Sequence, residues 1–194
     1  MERKKKQFLS TRDKPKQTKT RSIKPKKPRK FSLQLGLQVQ KSLKKTLLPK
    51  PGELEHWVEK ILAELRKRKL SKHLAADMNI CLVDEKESAR LNEAYRSKKS
   101  PTNILTFSYD LPKEIASRLL YGDLIICFPI ALKEAKVGGI KVDDHLVHLI
   151  LHGMLHLLGY DHENDKEADE MEQIEIEILE KLKVPNPYAN KVVI

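Results

Sequence analysis

Residues 143–162 read DDHLVHLILHGMLHLLGYDH. Between the two opening aspartates and Gly159 this stretch is apolar apart from its histidines and Gly153, so it is expected to form a buried helix. Asp143 or Asp144 is expected to cap its start. His145, His148, His152 and His156 follow one another at intervals of three, four and four residues. That spacing stacks all four imidazoles on one helix face. A buried imidazole needs a partner for each ring nitrogen, and a metal ion is one such partner. Residues at i and i+4, here His152 and His156, can aim two nitrogens at a common point. Gly159 comes three residues after His156, and glycine takes the left-handed conformation that ends a helix. The turn 159–161 would swing His162 back toward the pair. Three neutral histidines around Zn²⁺ leave a fourth position for water, the arrangement of a catalytic rather than a closed structural site. One Zn²⁺ per chain is the expected cofactor. His148 with His152 is a competing pair, but no third ligand arrives in register with it. His145 and His148 suit packing, supporting or ligand-facing roles.

Outward from this helix, the chain reads as alternating strands and helices. In FSLQLGLQV (31–39) apolar residues recur every second position, as in a half-buried strand. Residues 53–69 carry Leu54, Trp57, Val58, Ile61, Leu62 and Leu65 at helical spacing and end in a cationic turn, which suits the negative end of the helix dipole. Trp57 is expected in the core. Ala76, Met78, Ile80 and Leu82 mark a second strand. Asp84 with Glu87 resembles a capping box opening a short helix through about Tyr95. Thr102–Phe107 and Asp123–Cys127 read as two more strands. Further helices are expected over about 129–137, 143–158 and 165–183. In the last of these, Met171, Ile174 and Ile178 form the buried side and the acidic run from Glu163 to Glu180 a solvated face. Tyr160 reads as packing, and Asp161 as a helix cap or a partner for His162. The expected fold is a single α/β domain of α+β character: a small mixed four-stranded sheet packed with about five to six helices.

The 194-residue chain carries a formal charge of +11. Residues 1–30 hold 14 Lys or Arg against Glu2 and Asp13, so the rest of the chain is close to neutral. With three prolines and little apolar periodicity, this stretch is expected to be a disordered basic tail. Such a tail can neutralise phosphates and release their counterions, which favours nucleic acid or an anionic surface as its partner over a merely solubilising extension. No apolar run is long enough for a membrane span, and no early apolar stretch suggests a secretory signal. Cys81 and Cys127 have no CxxC partner, which argues against a disulfide framework or a cysteine zinc knuckle. A reducing compartment is the expected setting.

The pattern HxxxHxxGxxH is close to the metzincin signature HExxHxxGxxH. Here Gly153 stands where that signature has glutamate, the general base of peptide hydrolysis. A metallopeptidase is therefore the alternative rather than the leading reading, and Gly153 is expected to leave open space beside the metal.

HGMLHLLGYDH (152–162) closely resembles the signature of the YbeY family, zinc-dependent endoribonucleases that mature ribosomal RNA in bacteria. LNEAYRSKKSPTNILTF (91–107), GDLIIC (122–127), the acidic helix ADEMEQIEIEIL and the NPY near the end are also similar to blocks of that family. The likeness covers about residues 31–190, all but the tail. It implies that His152, His156 and His162 are the zinc ligands and that Arg96 acts in catalysis; His152 is the other catalytic candidate. A guanidinium can hold a phosphate bidentately and stabilise charge growing on it. Arg96, Lys98, Lys99 and Asn103 are the implied substrate-binding residues, the lysines as phosphate contacts, while Thr102 and Asn103 also position the strand edge that lines the groove. Lys99–Ser100 departs from the family pattern, which often has an acidic residue before PTN. The implied function is a single-strand-specific endoribonuclease acting in 16S ribosomal RNA 3′-end maturation and ribosome biogenesis. Its partners would be ribosomal RNA and the small ribosomal subunit, its setting the bacterial cytoplasm, with no membrane. A non-catalytic zinc-containing ribosome-assembly factor is the third possibility.

Overall fold

The structure is a computed structural model that describes residues 33–50, 52–68, 75–110, 119–160 and 164–189. The expected basic tail, residues 1–30, lies outside the described residues. Four strands, β1 (Leu33–Val39), β2 (Ala75–Val83), β3 (Ile104–Ser108) and β4 (Leu119–Cys127), form one mixed sheet in the order β1-β2-β4-β3. β1, β2 and β4 are parallel, and β3 runs antiparallel to β4 at the edge. Among the described residues five α-helices accompany them: α1 (Glu53–Lys67), α2 (Glu85–Arg96), α3 (Phe128–Gly138), α4 (Val142–Leu157) and α5 (Asp165–Lys181). The mixed four-stranded α/β architecture expected from the sequence is the one observed.

The period-two pattern decides which side of the sheet is covered. On β2, Ala76, Met78, Ile80 and Leu82 are buried while the intervening residues are half-buried. On β4, Leu120, Leu124 and Ile126 face the same way. Against that side lie α1, α4 and α5, whose Ile61, Leu65, Ile150, Met154, Ile178 and Leu179 join the strand residues in one apolar core. Trp57 is half-buried at its rim.

Several boundaries move for local reasons. β3 begins at Ile104 rather than Thr102 because Ser88 of α2 captures the preceding backbone. Its Oγ donates to the Thr102 carbonyl (2.8 Å) and accepts from the Thr102 amide (3.0 Å). β4 begins at Leu119, four residues before the expected start, to pair with all of β2. α5 stops at Lys181, and Lys183 takes a positive φ of 61°. Neither Asp143 nor Asp144 caps α4. Lys141 occupies the N-cap position, and both aspartates sit in the first turn, where their charge meets the positive helix end. The capping role assigned to Asp84 holds: its carboxylate accepts from the Glu87 amide at 2.9 Å. Among the described residues no helix is long and apolar enough to cross a membrane.

Candidate metal centre

α4 is buried along most of its length, with Leu146, Ile150, Leu151, Met154 and Leu155 fully covered. Its histidine face lies toward α5 and the C-terminal segment. The four rings form a row, with centroid separations of 6.1 Å from His145 to His148, 6.2 Å from His148 to His152 and 4.6 Å from His152 to His156. Only the last two are close enough to share an ion.

His152 and His156 bring their Nε2 atoms to 3.1 Å from each other. Both Nδ1 atoms are held from behind. His156 Nδ1 lies 3.0 Å from the Tyr160 carbonyl, which can only accept, so Nδ1 carries the proton. Gly159, at φ +92°, makes the turn that brings this carbonyl back over the helix end. Tyr160 also packs against the core, as expected. His152 Nδ1 lies 2.8 Å from Glu175 Oε1 and donates to that carboxylate. In the neutral rings each Nε2 then presents a lone pair to the other. Two lone pairs so close repel unless a proton or a cation lies between them. Ligands at about 2.0–2.1 Å from a tetrahedral Zn²⁺ stand about 3.3–3.4 Å apart, so the observed pair suits a metal in both chemistry and spacing. The third expected ligand, His162, lies outside the described residues together with Asp161. Among the described residues no three ligating side chains converge.

Glu175 is the residue that the sequence reading missed. It belongs to the stretch read as a solvated acidic face, yet its side chain is 0% exposed. Its Oε1 serves His152. Its Oε2 takes His148 Nε2 at 3.3 Å and the hydroxyl of Tyr188 in a short hydrogen bond. Burial alone would raise its pKa, but the hydrogen bonds from His148 and His152 outweigh that and lower it to about 2. Burial and the neighbouring Glu175 charge push the Tyr188 phenol up, so it stays a donor. The signal was present in the sequence. Met171, Ile174, Glu175, Ile178 and Leu179 follow the i, i+3, i+4, i+7, i+8 rhythm of a buried stripe, and Glu175 occupies a core position within it. A cavity of about 270 Å³ opens beside His152, lined by Ala168, Met171, Glu172, Glu175 and Tyr188.

At the other end of the row, His145 Nε2 pairs with Glu134 of α3 at 2.8 Å. Glu134 also holds the Asn103 amide, at 3.2 and 3.3 Å to its two oxygens. Asn103 Oδ1 accepts from the Ile104 amide at 2.7 Å, and its backbone carbonyl accepts from Cys127. Asn103 is thus engaged in joining β3 to α3 and β4, as a residue that positions the strand.

Arg96 is the last residue of α2 and is exposed, as are Lys98 and Lys99 just beyond. Ser97, at φ 59°, ends the helix and turns the chain. Tyr95 stacks edge-on against Phe107 with centroids 4.9 Å apart, so α2 ends beside β3. β3 in turn lies against α4 at Gly153. A Cβ on Gly153 would stand 2.6 Å from Leu124 Cδ2, 3.0 Å from Ile104 Cδ1 and 3.2 Å from Thr106 Oγ1. The open space expected beside the metal is therefore not what this glycine provides. It is buried, and it lets helix and sheet approach closely.

A family model described as endoribonuclease YbeY matches residues 38–183. A protein named endoribonuclease YbeY from Pseudomonas syringae pv. syringae is 42% identical over 158 residues, spanning 81% of this chain and 89% of the relative. Its namesake from Colwellia psychrerythraea is 44% identical over 146 residues, 75% of this chain and 92% of that one. A Thermotoga maritima protein solved in solution superposes with a TM-score of 0.51 at 25% identity, covering 82% of this chain and 97% of its own. With a family match over most of its length and relatives above 40% identity covered nearly end to end, the chain belongs to the YbeY family.

Proposed function

We propose that this chain is a zinc-dependent endoribonuclease that cuts single-stranded RNA, with precursor 16S ribosomal RNA as substrate at its 3′ end in the bacterial cytoplasm. The observation that carries the reading is the His152–His156 pair, with its Nε2 atoms 3.1 Å apart and both Nδ1 atoms already engaged. The names of the relatives supply the reaction class. His152 and His156, joined by His162, would hold one Zn²⁺. When bound, that ion supplies Lewis-acid chemistry, polarising a phosphoryl oxygen and making water more acidic. Arg96 grips the scissile phosphate and balances the charge that grows on it. Lys98 and Lys99 extend this cationic ridge along the RNA backbone, and the basic residues 1–30 add sequence-independent affinity for the small-subunit RNA. Glu175 is not the base that activates the nucleophile, because both its oxygens are engaged and it is out of contact with solvent.

The close packing at Gly153 weighs against the metallopeptidase alternative. That position has no room for the glutamate which peptide hydrolysis needs there. A non-catalytic assembly factor differs from the proposal in what metal removal does. The test is incubation of metal-loaded and metal-stripped protein with precursor and mature ribosomal RNA, followed by mapping of new ends. New ends that need metal and vanish in His152→Ala are expected. Equal cleavage by the variant, in a nuclease-free preparation, would overturn the proposal.

A further inference from the structure

Glu175 has no place in the cleavage chemistry proposed above, yet it is the most thoroughly buried charged group among the described residues. A carboxylate in an otherwise apolar helix stripe is costly unless donors surround it. Here three do: His152 Nδ1, His148 Nε2 and the Tyr188 hydroxyl. They approach from α4 and from the C-terminal segment, so both carboxylate oxygens are held. Among the described residues Oε1 is used by His152, whereas His148 and Tyr188 share Oε2.

We infer that Glu175 is the positioning residue of the metal site, with Tyr188 holding it and His152 delivering its effect to the ion. This rests on the metal reading of His152 and His156. An ionised acceptor fixes the Nδ1–H tautomer of His152, sets the plane of the ring and makes its Nε2 a better donor. His156 gets the same service from a backbone carbonyl, that of Tyr160. The two ligands are therefore oriented by different devices, one local to α4 and one imported from α5. The imported one brings Tyr188, in the C-terminal segment, into the site's support.

The experiment compares full-length wild type, Glu175→Gln and Tyr188→Phe. Zn²⁺ affinity is measured by competition with a chromophoric chelator, and ligand geometry by the visible spectrum of the Co²⁺ forms. Circular dichroism of the metal-free proteins reports the fold. Glu175→Gln keeps the shape and one acceptor oxygen but removes the charge. It is expected to weaken Zn²⁺ by roughly 10–100-fold and to alter the Co²⁺ spectrum, with a metal-free fold like that of wild type. Tyr188→Phe is expected to weaken it less, in the same direction. Wild-type affinity and spectrum in Glu175→Gln would overturn the inference while leaving the metal reading intact. A wild-type protein that binds no Zn²⁺ would overturn both. Should Glu175→Gln fail to fold, nitrogen NMR of metal-free wild type decides: the Nδ1–H tautomer of His152 supports the inference, and the Nε2–H tautomer overturns it.

Discussion

His152 and His156 face each other through their Nε2 atoms across 3.1 Å, while Glu175 holds one ring from behind and the Tyr160 carbonyl the other. In the proposed metal site the two imidazoles would act as one chelating unit. Replacing either by alanine should abolish tight Zn²⁺ binding and RNA cleavage together. His145→Ala should leave Zn²⁺ binding near wild type, because its ring is paired with Glu134 at the far end of the row. Isothermal titration of Zn²⁺ into the three variants checks this. Unaltered binding in His156→Ala would remove the pair from the metal site.

Removal of the metal should cost activity without unfolding the chain. α4 is held by Leu146, Ile150, Leu151, Met154 and Leu155, none of which depends on an ion for its burial. Each fully buried aliphatic side chain contributes about 1.5–3 kcal/mol through area removed from water. Circular dichroism in excess chelator should show the helices retained while cleavage stops. Cooperative loss of helical signal at the chelation endpoint would favour the structural-zinc reading.

How much of this was legible in advance differs by element. Strands and helices announced themselves through period two and period 3.6, and the same pattern put His152 and His156 on one helix face. Glu175 was not read because a run of acidic residues averages out as solvated, and its place in the buried stripe shows only when Met171 and Ile178 are counted from it. Gly153 was misread for a different reason. Its smallness was assigned to the metal side, whereas the register that brings Ile104 and Leu124 under α4 is tertiary information. Asn103 was read as a substrate contact at the strand edge, whereas its amide is held by Glu134, on a helix 31 residues further along, which is not a local property of the PTN segment.

Arg96 stands exposed at the end of α2, beside the strand that packs against Gly153. Its removal should therefore leave fold and metal affinity alone. Arg96→Ala should reduce cleavage by about 10²-fold, the scale of losing one donor to developing charge. Arg96→Lys should recover only part of it, since an ammonium cannot replace a planar bidentate fork. Single-turnover rates at saturating RNA check this, and a loss confined to RNA affinity would reassign Arg96 to binding.

Asp84 makes part of the stability depend on pH. Its carboxylate accepts from Ser42 Oγ at 2.7 Å and from the Glu87 amide at 2.9 Å, fastening the loop after β1 to the start of α2. The Ser42 hydrogen bond first, and the Glu87 amide after it, lower its pKa. A carboxyl depressed in the folded state stabilises above its unfolded value, about 3.9, and the contribution is lost as pH falls through the lower folded value. Asp84→Ala should cost about 0.5–2 kcal/mol at neutral pH, the usual range for a lost N-cap. The difference from wild type should narrow below about pH 4 in urea titrations. A gap that stayed constant down to pH 2 would show that the cap does not act through its charge.

Gly153 should resist even the smallest enlargement. A Cβ there would come within 2.6 Å of Leu124 Cδ2, and Leu124 is completely buried, so its methyl has little freedom to give way. Alanine would gain about 1 kcal/mol in helix propensity, but overpacking costs about 1–3 kcal/mol. Gly153→Ala is expected to be destabilising on balance, with β3 displaced from α4. Since β3 carries the contact between Phe107 and Tyr95, the end of α2 and Arg96 should shift with it. Cleavage should then fall more than Zn²⁺ affinity does, because His152 and His156 are oriented from α5 and from the Gly159 turn rather than from the sheet. Paired measurements of unfolding free energy, Zn²⁺ affinity and cleavage rate test the chain of effects. A stabilised variant with full activity would show that helix and sheet can separate here without consequence for the site.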